Sequence, residues 1–406
     1  MRVKRYAFVA FLGMLLMFLG VAQLSWQGPV LDWMIELARW AVLLNLPLWA
    51  SGLLLFTLGF GVFVIGIRTM NRSMLSALTD PDQVPEVVYV RRKLEAGPHI
   101  VALGGGTGLS RVLKGLKQHT THLTAVVAVT DDGGSTGRLR RSFGVPAVGD
   151  LVDCLAALSD AERLPTLMQY RFRRGGELAG HTFGNLFLVS LYELTGDFAE
   201  ALREANRALA LRGAVYPSTP EPARLVAEFM DGRVETGETR LREVGRPVRR
   251  VGLEPAEVPA MPEVVAALRQ ARLIVLGPGS LYTSVIPSFL TPEVSRTVRE
   301  AKGRLVYLVN IMTECGETDG MDAYAHYKAV AEHLGRRPDV VLVNTAPIPD
   351  PVLARYRAEG QEPVAFDPRP FEADGVRVIA GDFLEAGPLA QHDPEKVVRA
   401  LIGLAR

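Results

Sequence analysis

The sequence predicts an α/β fold: a doubly wound, mostly parallel sheet with a small β-rich insertion, preceded by a two-helix transmembrane hairpin. Three observations predict it. From Ile100 onward, short apolar, β-branched runs alternate with segments of helical spacing. Most of these runs end in glycine-, asparagine- or acid-bearing loops, and ligands of open α/β sheets bind at that carboxyl edge. Before them lie two long stretches without a charged side chain, Tyr6 to Leu31 and Trp40 to Ile67.

Each uncharged stretch can cross a hydrocarbon core about 30 Å thick, which takes about 20 helical residues. Arg2, Lys4 and Arg5 precede the first, Arg68 and Arg72 follow the second, and the link Asp32–Arg39 carries two acids and one base. The positive-inside bias makes this an inner-membrane hairpin over residues 6–67, with the C-terminal domain in the cytoplasm. No small-x-small cleavage site follows the first stretch, so it does not read as a cleaved signal. No charge interrupts either span, which leaves a transport role unsupported. Trp26, Trp33, Trp40 and Trp49 suit interface positions. Residues 1–70 are thus an anchor, 71–97 a polar linker and 98–406 a nucleotide-binding type of domain, with its insertion at about 215–260. Val87–Val90 has strand composition.

The 406 residues suffice for a large core or two domains, and a net charge of +1 argues against a nucleic-acid surface. Cys154 and Cys315 sit in unrelated contexts, so neither a disulfide framework nor a structural zinc site is expected.

The soluble domain opens with the buried-strand run Ile100–Leu103, followed by Gly104, Gly105, Gly106, Thr107 and Gly108 and then helical spacing at Leu109, Val112, Leu113 and Leu116. Strand, glycine turn and helix together build a phosphate site, because the backbone can approach an anion and the helix start offers free N–H groups. The strict dinucleotide fingerprint would need glycine at Leu109, and the Lys-Ser/Thr pair of a P-loop is missing. The second strand, Leu123–Thr130, runs into Asp131-Asp132-Gly133-Gly134-Ser135-Thr136, where a carboxylate can hold a ribose or a metal ion. The alternative is a glycine turn with a helix cap. The loop Phe143–Asp150 leads into a helix at Leu151–Leu158, and Asp150 either caps that helix or faces a ligand.

Leu164–Phe172 has helical spacing. Gly180-His-Thr-Phe-Gly-Asn-Leu186 then enters an apolar helix, where His181 is a cap or a functional imidazole and Asn185 presents an amide to a sugar or base. Phe198–Leu211 reads as an amphipathic helix, Ala214–Thr219 as a strand, and residues 224–253 as a β-rich excursion that covers the site or mediates assembly. Arg272–Leu276 is the clearest buried strand. It ends in Gly277-Pro-Gly-Ser-Leu-Tyr-Thr-Ser284, a second corner able to grip a phosphate and stack a ring. Strands at Arg304–Val309, Asp339–Val343 and Arg377–Ile379 and a helix at Pro394–Leu404 complete the pattern.

Taken in order, Gly104–Ser110, Asp131–Ser135, Gly180–Leu186, Leu276–Ser284 and Asn310–Thr313 with Gly316–Gly320 resemble the motifs of the gluconeogenesis factor family. That family is a bacterial branch of the 2-phospho-L-lactate transferase superfamily, and the resemblance runs from His99 to near the C-terminus. It implies a Rossmann-like domain that binds UDP-N-acetylglucosamine and helps set carbon flow into cell-wall precursors and cell shape. Carried onto this sequence, the pyrophosphate would meet Gly104, Gly105, Gly106, Thr107 and Gly108 and the loop with Gly277, Gly279 and Ser280. Asp132 would face ribose or metal, Asn185 the base or sugar, and Tyr282 would lie along the UDP-sugar. In the transferase branch, Asp131 and Asp132 would hold Mg²⁺ and His181 would assist proton transfer.

Two departures stand out. Leu151-Val152-Asp153 replaces the family's Arg-Asn, and Glu314-Cys315 replaces its Gln-Pro, so the added charge needs a partner or must point away. No nucleophile–base pair is visible in the sequence, which favours binding over chemistry. The leading expectation is a membrane-tethered regulator acting through a protein partner in cell-wall precursor synthesis, on a fold compatible with a homodimer. The alternative is a metal-dependent phosphotransferase or nucleotidyltransferase. An NAD-binding role comes last, for want of a hydride-acceptor site.

Overall fold

The computed structural model describes residues 3–24, 32, 36, 47–75, 89 and 92–405. The chain divides into two units, Met1–Arg92 and Lys93–Arg406.

In the first unit the helices Val3–Leu24 and Leu48–Leu75 pack antiparallel through glycines. A Cβ at Gly13 would lie 2.5 Å from Phe63 N, one at Gly20 2.7 Å from Phe56 N, and one at Gly59 2.6 Å from Met17 N. Small residues let two backbones approach this closely. Phe8, Phe11, Phe18, Leu53, Leu58 and Phe60 point outward and are exposed. Among the described residues one helix, Trp49–Met70, is long and apolar enough to cross a membrane (22 residues, mean hydropathy 2.2), and Phe8–Val21 is a shorter apolar helix. Two expected spans thus become one helix that passes this length and hydropathy test and a shorter apolar partner. Trp26, Trp33, Trp40, most of the Asp32–Arg39 link and most of the Val87–Val90 run lie outside the described residues.

The second unit is built on ten strands: β1 Ile100–Gly104, β2 Leu123–Val127, β3 Ala214–Pro217, β4 Arg224–Phe229, β5 Val234–Thr236, β6 Val248–Glu254, β7 Leu273–Leu276, β8 Arg304–Leu308, β9 Val340–Asn344 and β10 Arg377–Gly381. Seven form one sheet in the order β10-β9-β8-β7-β1-β2-β3, and every pair in it is parallel. β1 and β7 are buried along their whole length, as apolar strands covered on both faces must be. Alternation divides β1 between two cores: Ile100 and Ala102 pack with Leu109, Leu113 and Val397, while Val101 and Leu103 pack with Val264, Leu268 and Val294. The order reverses between β1 and β7, which is the switch point of a doubly wound sheet.

The remaining strands form the antiparallel sheet β5-β4-β6, joined by the helix Glu238–Val244. β3 belongs to the main sheet, so the insertion begins after Pro217 rather than at about residue 215. The helix expected over Leu164–Phe172 stops at Met168. Its continuation pairs with the next loop instead: Phe172 N donates to His181 O (2.9 Å) and Phe183 N to Tyr170 O (2.8 Å).

Gly184, in the helix Phe183–Thr195, shows how tightly this region packs. A Cβ there would lie 2.3 Å from Val152 Cγ1 and 2.7 Å from Met168 O. Gly184→Ala should destabilise the domain by about 1–3 kcal/mol, the usual cost of overpacking. A lowered urea midpoint at unchanged m checks this; an unchanged midpoint refutes the close packing.

Candidate functional site

The two glycine corners meet at the switch point. Leu103 is in register with Leu276, so β1 and β7 end side by side. A Cβ at Gly104 would lie 3.6 Å from Gly277 Cα, and one at Gly108 would lie 3.1 Å from Pro278 O. One at Gly279 would lie 3.2 Å from Gly105 O. The helix Gly106–Leu116 starts here, and its N-cap, Gly105, brings no side chain to bond the first-turn N–H groups. Such groups are anion donors. Beside the corner opens a cavity of about 460 Å³, lined by Thr107, Gly108, Gly279, Asn310 and Glu314 and, from the C-terminal region, by Tyr356, Gln361 and His392.

Carboxylates crowd this edge. Asp150 is not the N-cap of its helix, Gly149–Leu158; that position is Val148. Its carboxylate instead lies across the first glycine turn, where a Cβ at Gly105 would come 2.3 Å from Oδ2. It accepts a hydrogen bond from the Gly106 backbone, while burial, with the charges of Asp131 and Asp153, pushes its pKa up to about 7. Glu314, the residue that departs from the family pattern, finds one partner on the second corner and one just after β8: Ser280 Oγ donates to Oε2 (2.5 Å) and Asn310 Nδ2 to Oε1 (3.2 Å). Burial and then the Glu317 charge push it up to about 7.

Arg242, from the insertion helix, reaches the same cavity and pairs with Glu238 and Glu317, each at 3.1 Å. Burial, followed by the Asp131 charge, pushes Glu238 up to about 9. Glu317 is 3% exposed, and its Oε2 has no partner. Nothing local in the sequence marked Arg242, because it arrives from a small helix whose place over the site is set by tertiary packing. Asn310 stands in the sequence only as a motif position, and Glu314 only as a departure from the family pattern.

The acidic loop does different work from that expected. Asp131 Oδ1 accepts from Gly133 N (2.9 Å). Asp132 Oδ1 accepts from Thr239 N (3.1 Å) and Thr239 Oγ1 (2.7 Å), capping the insertion helix. Among the described residues no group of three or more His, Cys, Asp or Glu is placed to hold a metal ion. Thr182 caps the helix that His181 precedes, accepting from Asn185 N at 3.2 Å. His181 Nδ1 instead lies 2.8 Å from Ser135 Oγ, and Asn185 Nδ2 donates to the same oxygen at 3.1 Å. This is a hydroxyl–imidazole pair that the sequence did not show. Tyr282 is 4% exposed, set edge-to-face on His333 at 6.0 Å, and its hydroxyl donates to Val248 O (3.4 Å). It packs in the core beneath the insertion and is not among the residues lining the cavity, so it cannot stack on a ligand there without leaving that packing.

The model of the family 2-phospho-L-lactate transferase CofD matches residues 100–384. The gluconeogenesis factor of Bacillus subtilis is 42% identical over 312 residues, which cover 76% of this chain and 98% of that protein. A Deinococcus radiodurans protein, provisionally given the same name, is 42% identical over 409 residues, 99% of this chain and 87% of its own. A crystal structure of a Bacillus halodurans protein superposes with a TM-score of 0.73 at 41% identity, covering 75% of this chain and 99% of that one.

Asp150 makes a pH signature. Its carboxyl titrates at about 7 in the folded chain against 3.8 for an ordinary Asp, so between these values the unfolded state binds fewer protons and stability falls as pH rises. Asp150→Asn should match the parent near pH 4, be the more stable of the two at pH 8, and show a flatter decline between. Urea midpoints across that range check it, and parallel curves would remove Asp150 from the list of strained groups.

Proposed function

The chain belongs to the gluconeogenesis factor family, with a domain of the 2-phospho-L-lactate transferase CofD type, and on that premise we propose a membrane-tethered regulator that binds UDP-N-acetylglucosamine. It sets carbon flow into cell-wall precursors and cell shape, through a protein partner in that synthesis and as a homodimer. The observation that carries the reading is the contact of the two glycine corners at the switch point, beside a cavity of about 460 Å³. The diphosphate meets the helix start at Thr107 and Gly108, beyond the Gly106 amide that Asp150 holds, and the sugar and base extend along the cavity.

The glycine-packed helix pair supports the anchor. Small residues face inward and large apolar ones outward, the inverse of a water-soluble pair. The helix Val3–Leu24 has 22 residues, about 33 Å at about 1.5 Å per residue, which supports a two-span inner-membrane hairpin with the domain in the cytoplasm.

A transferase is the second reading, favoured by the hydroxyl–imidazole contact of Ser135 and His181. Asp131 and Asp132 each spend Oδ1 on Gly133 and Thr239, which leaves Oδ2 of each for Mg²⁺ in that reading.

Calorimetry on the full-length protein in detergent separates the two. UDP-N-acetylglucosamine should bind with or without EDTA and remain intact, and Gly108→Val, which crowds Pro278 O, should weaken binding at least tenfold. Absence of binding removes the nucleotide-sugar reading, and metal-dependent breakdown of the ligand replaces it with the transferase. Alkaline carbonate washing should leave the chain with the membrane pellet; its release refutes the spanning hairpin.

A further inference from the structure

Ser135 stands in the first turn of the ten-residue helix Gly134–Phe143, whose N-cap, Gly133, offers no side chain to its N–H groups. Neither Ser135 nor His181 is engaged as a cap: Asp131 serves the Gly133 N–H, and Thr182 serves the helix that His181 precedes. Their contact is side chain to side chain, between a helix start and a separate loop, with His181 only 7% exposed and Asn185 only 4%. Ser135 itself is half-buried, so its hydroxyl is not sealed from solvent. Asn185 Nδ2 already donates to the oxygen that would carry negative charge once its proton leaves.

Two guanidiniums frame the pair. Arg138 donates to Ala179 O (3.0 Å) and Arg171 to Gly180 O (2.6 Å), and Gly180 leaves room for this, since a Cβ there would lie 3.0 Å from Arg138 Nη2. Burial, then the charges of Arg138 and Arg171, lower the His181 pKa, which favours the neutral ring that accepts the Ser135 proton in the contact while weakening it as a base. The same charges and the open helix start favour an anion on Ser135 Oγ.

We propose that Ser135 is a nucleophilic hydroxyl with His181 as its general base, and that the pair takes a phosphoryl group from a phosphate ester or anhydride. In that step the bond from Ser135 Oγ to phosphorus forms and the bond from phosphorus to the leaving oxygen breaks. The Ser135 proton passes to His181 Nδ1, and the imidazolium then protonates the leaving oxygen. Asn185 is a positioning residue that holds Oγ toward the ring. The inference does not rest on the nucleotide-sugar reading: modification of Ser135 in a protein without nucleotide-sugar affinity would uphold the one and remove the other.

The test uses the full-length protein and a fluorophosphonate probe, which reports the same step with fluoride as leaving group. Peptide mass spectrometry should find the adduct on Ser135, and Ser135→Ala should abolish it. His181→Ala should slow labelling at least tenfold, and added imidazole should restore part of the rate, which also shows that the variant is folded. Asn185→Ala should slow labelling while leaving imidazole rescue of the double variant with His181→Ala intact. Absence of the Ser135 adduct overturns the proposal. So does labelling of His181→Ala at the parent rate, or failure of imidazole to rescue a variant with an unchanged melting temperature.

Discussion

Backbone lies directly on backbone where β1 and β7 end, and the rest of the site follows from that contact. Gly104, Gly108 and Gly279 each abut the opposite corner, so a side chain at any of them would stand in the seam. The contact exists because the strand order reverses there, which brings together two loops more than 150 residues apart in the chain. Each corner alone is an ordinary glycine turn. Joined, they set a helix start without an N-cap side chain beside one cavity, with the Gly106 amide held by Asp150 and with segments after β8 and in the C-terminal region closing the far side.

Charge is the second constraint on this edge. Asp150, Glu238, Glu314 and Glu317 all have pKa values raised by burial, and Arg242 is the cation that faces Glu238 and Glu317 together. The Glu317 side chain is 1% exposed and that of Arg242 51%, so loss of the arginine would leave a buried carboxylate with the Thr283 hydroxyl but no counter-ion, the costly half of a broken pair. The insertion is therefore tied to the main domain at both ends of its helix, by Asp132 at the start and by Arg242 near the finish.

Much of the main sheet could be read from composition, because strands buried on both faces are runs such as Leu-Ile-Val-Leu at 273–276 with little else they can be. Both glycine corners were legible for the same local reason. The family was legible as well, from motifs taken in order. Side-chain destinations were not. Asp132 looked like a ligand to sugar or metal and became a helix cap 107 residues away. Tyr282 looked like a stacking ring and went into the core. The Ser135–His181 contact spans 46 residues, and no spacing rule predicts an encounter between a helix start and a distant loop. The helix after Leu164 stopped early because its continuation found a tertiary backbone partner, which outweighed local propensity.

The long-range cap also makes the insertion helix depend on the main sheet. The segment Glu238–Val244 has seven residues, well below the length of about 12–15 at which an isolated helix becomes even marginal in water. Its first turn is met by Asp132, which follows β2 of the parallel sheet and takes both the Thr239 N–H and its hydroxyl. The helix therefore draws its order from the main domain rather than from its own length. A change at Asp132, remote from Arg242 in sequence, would reach the cavity by loosening the helix that carries one of its walls.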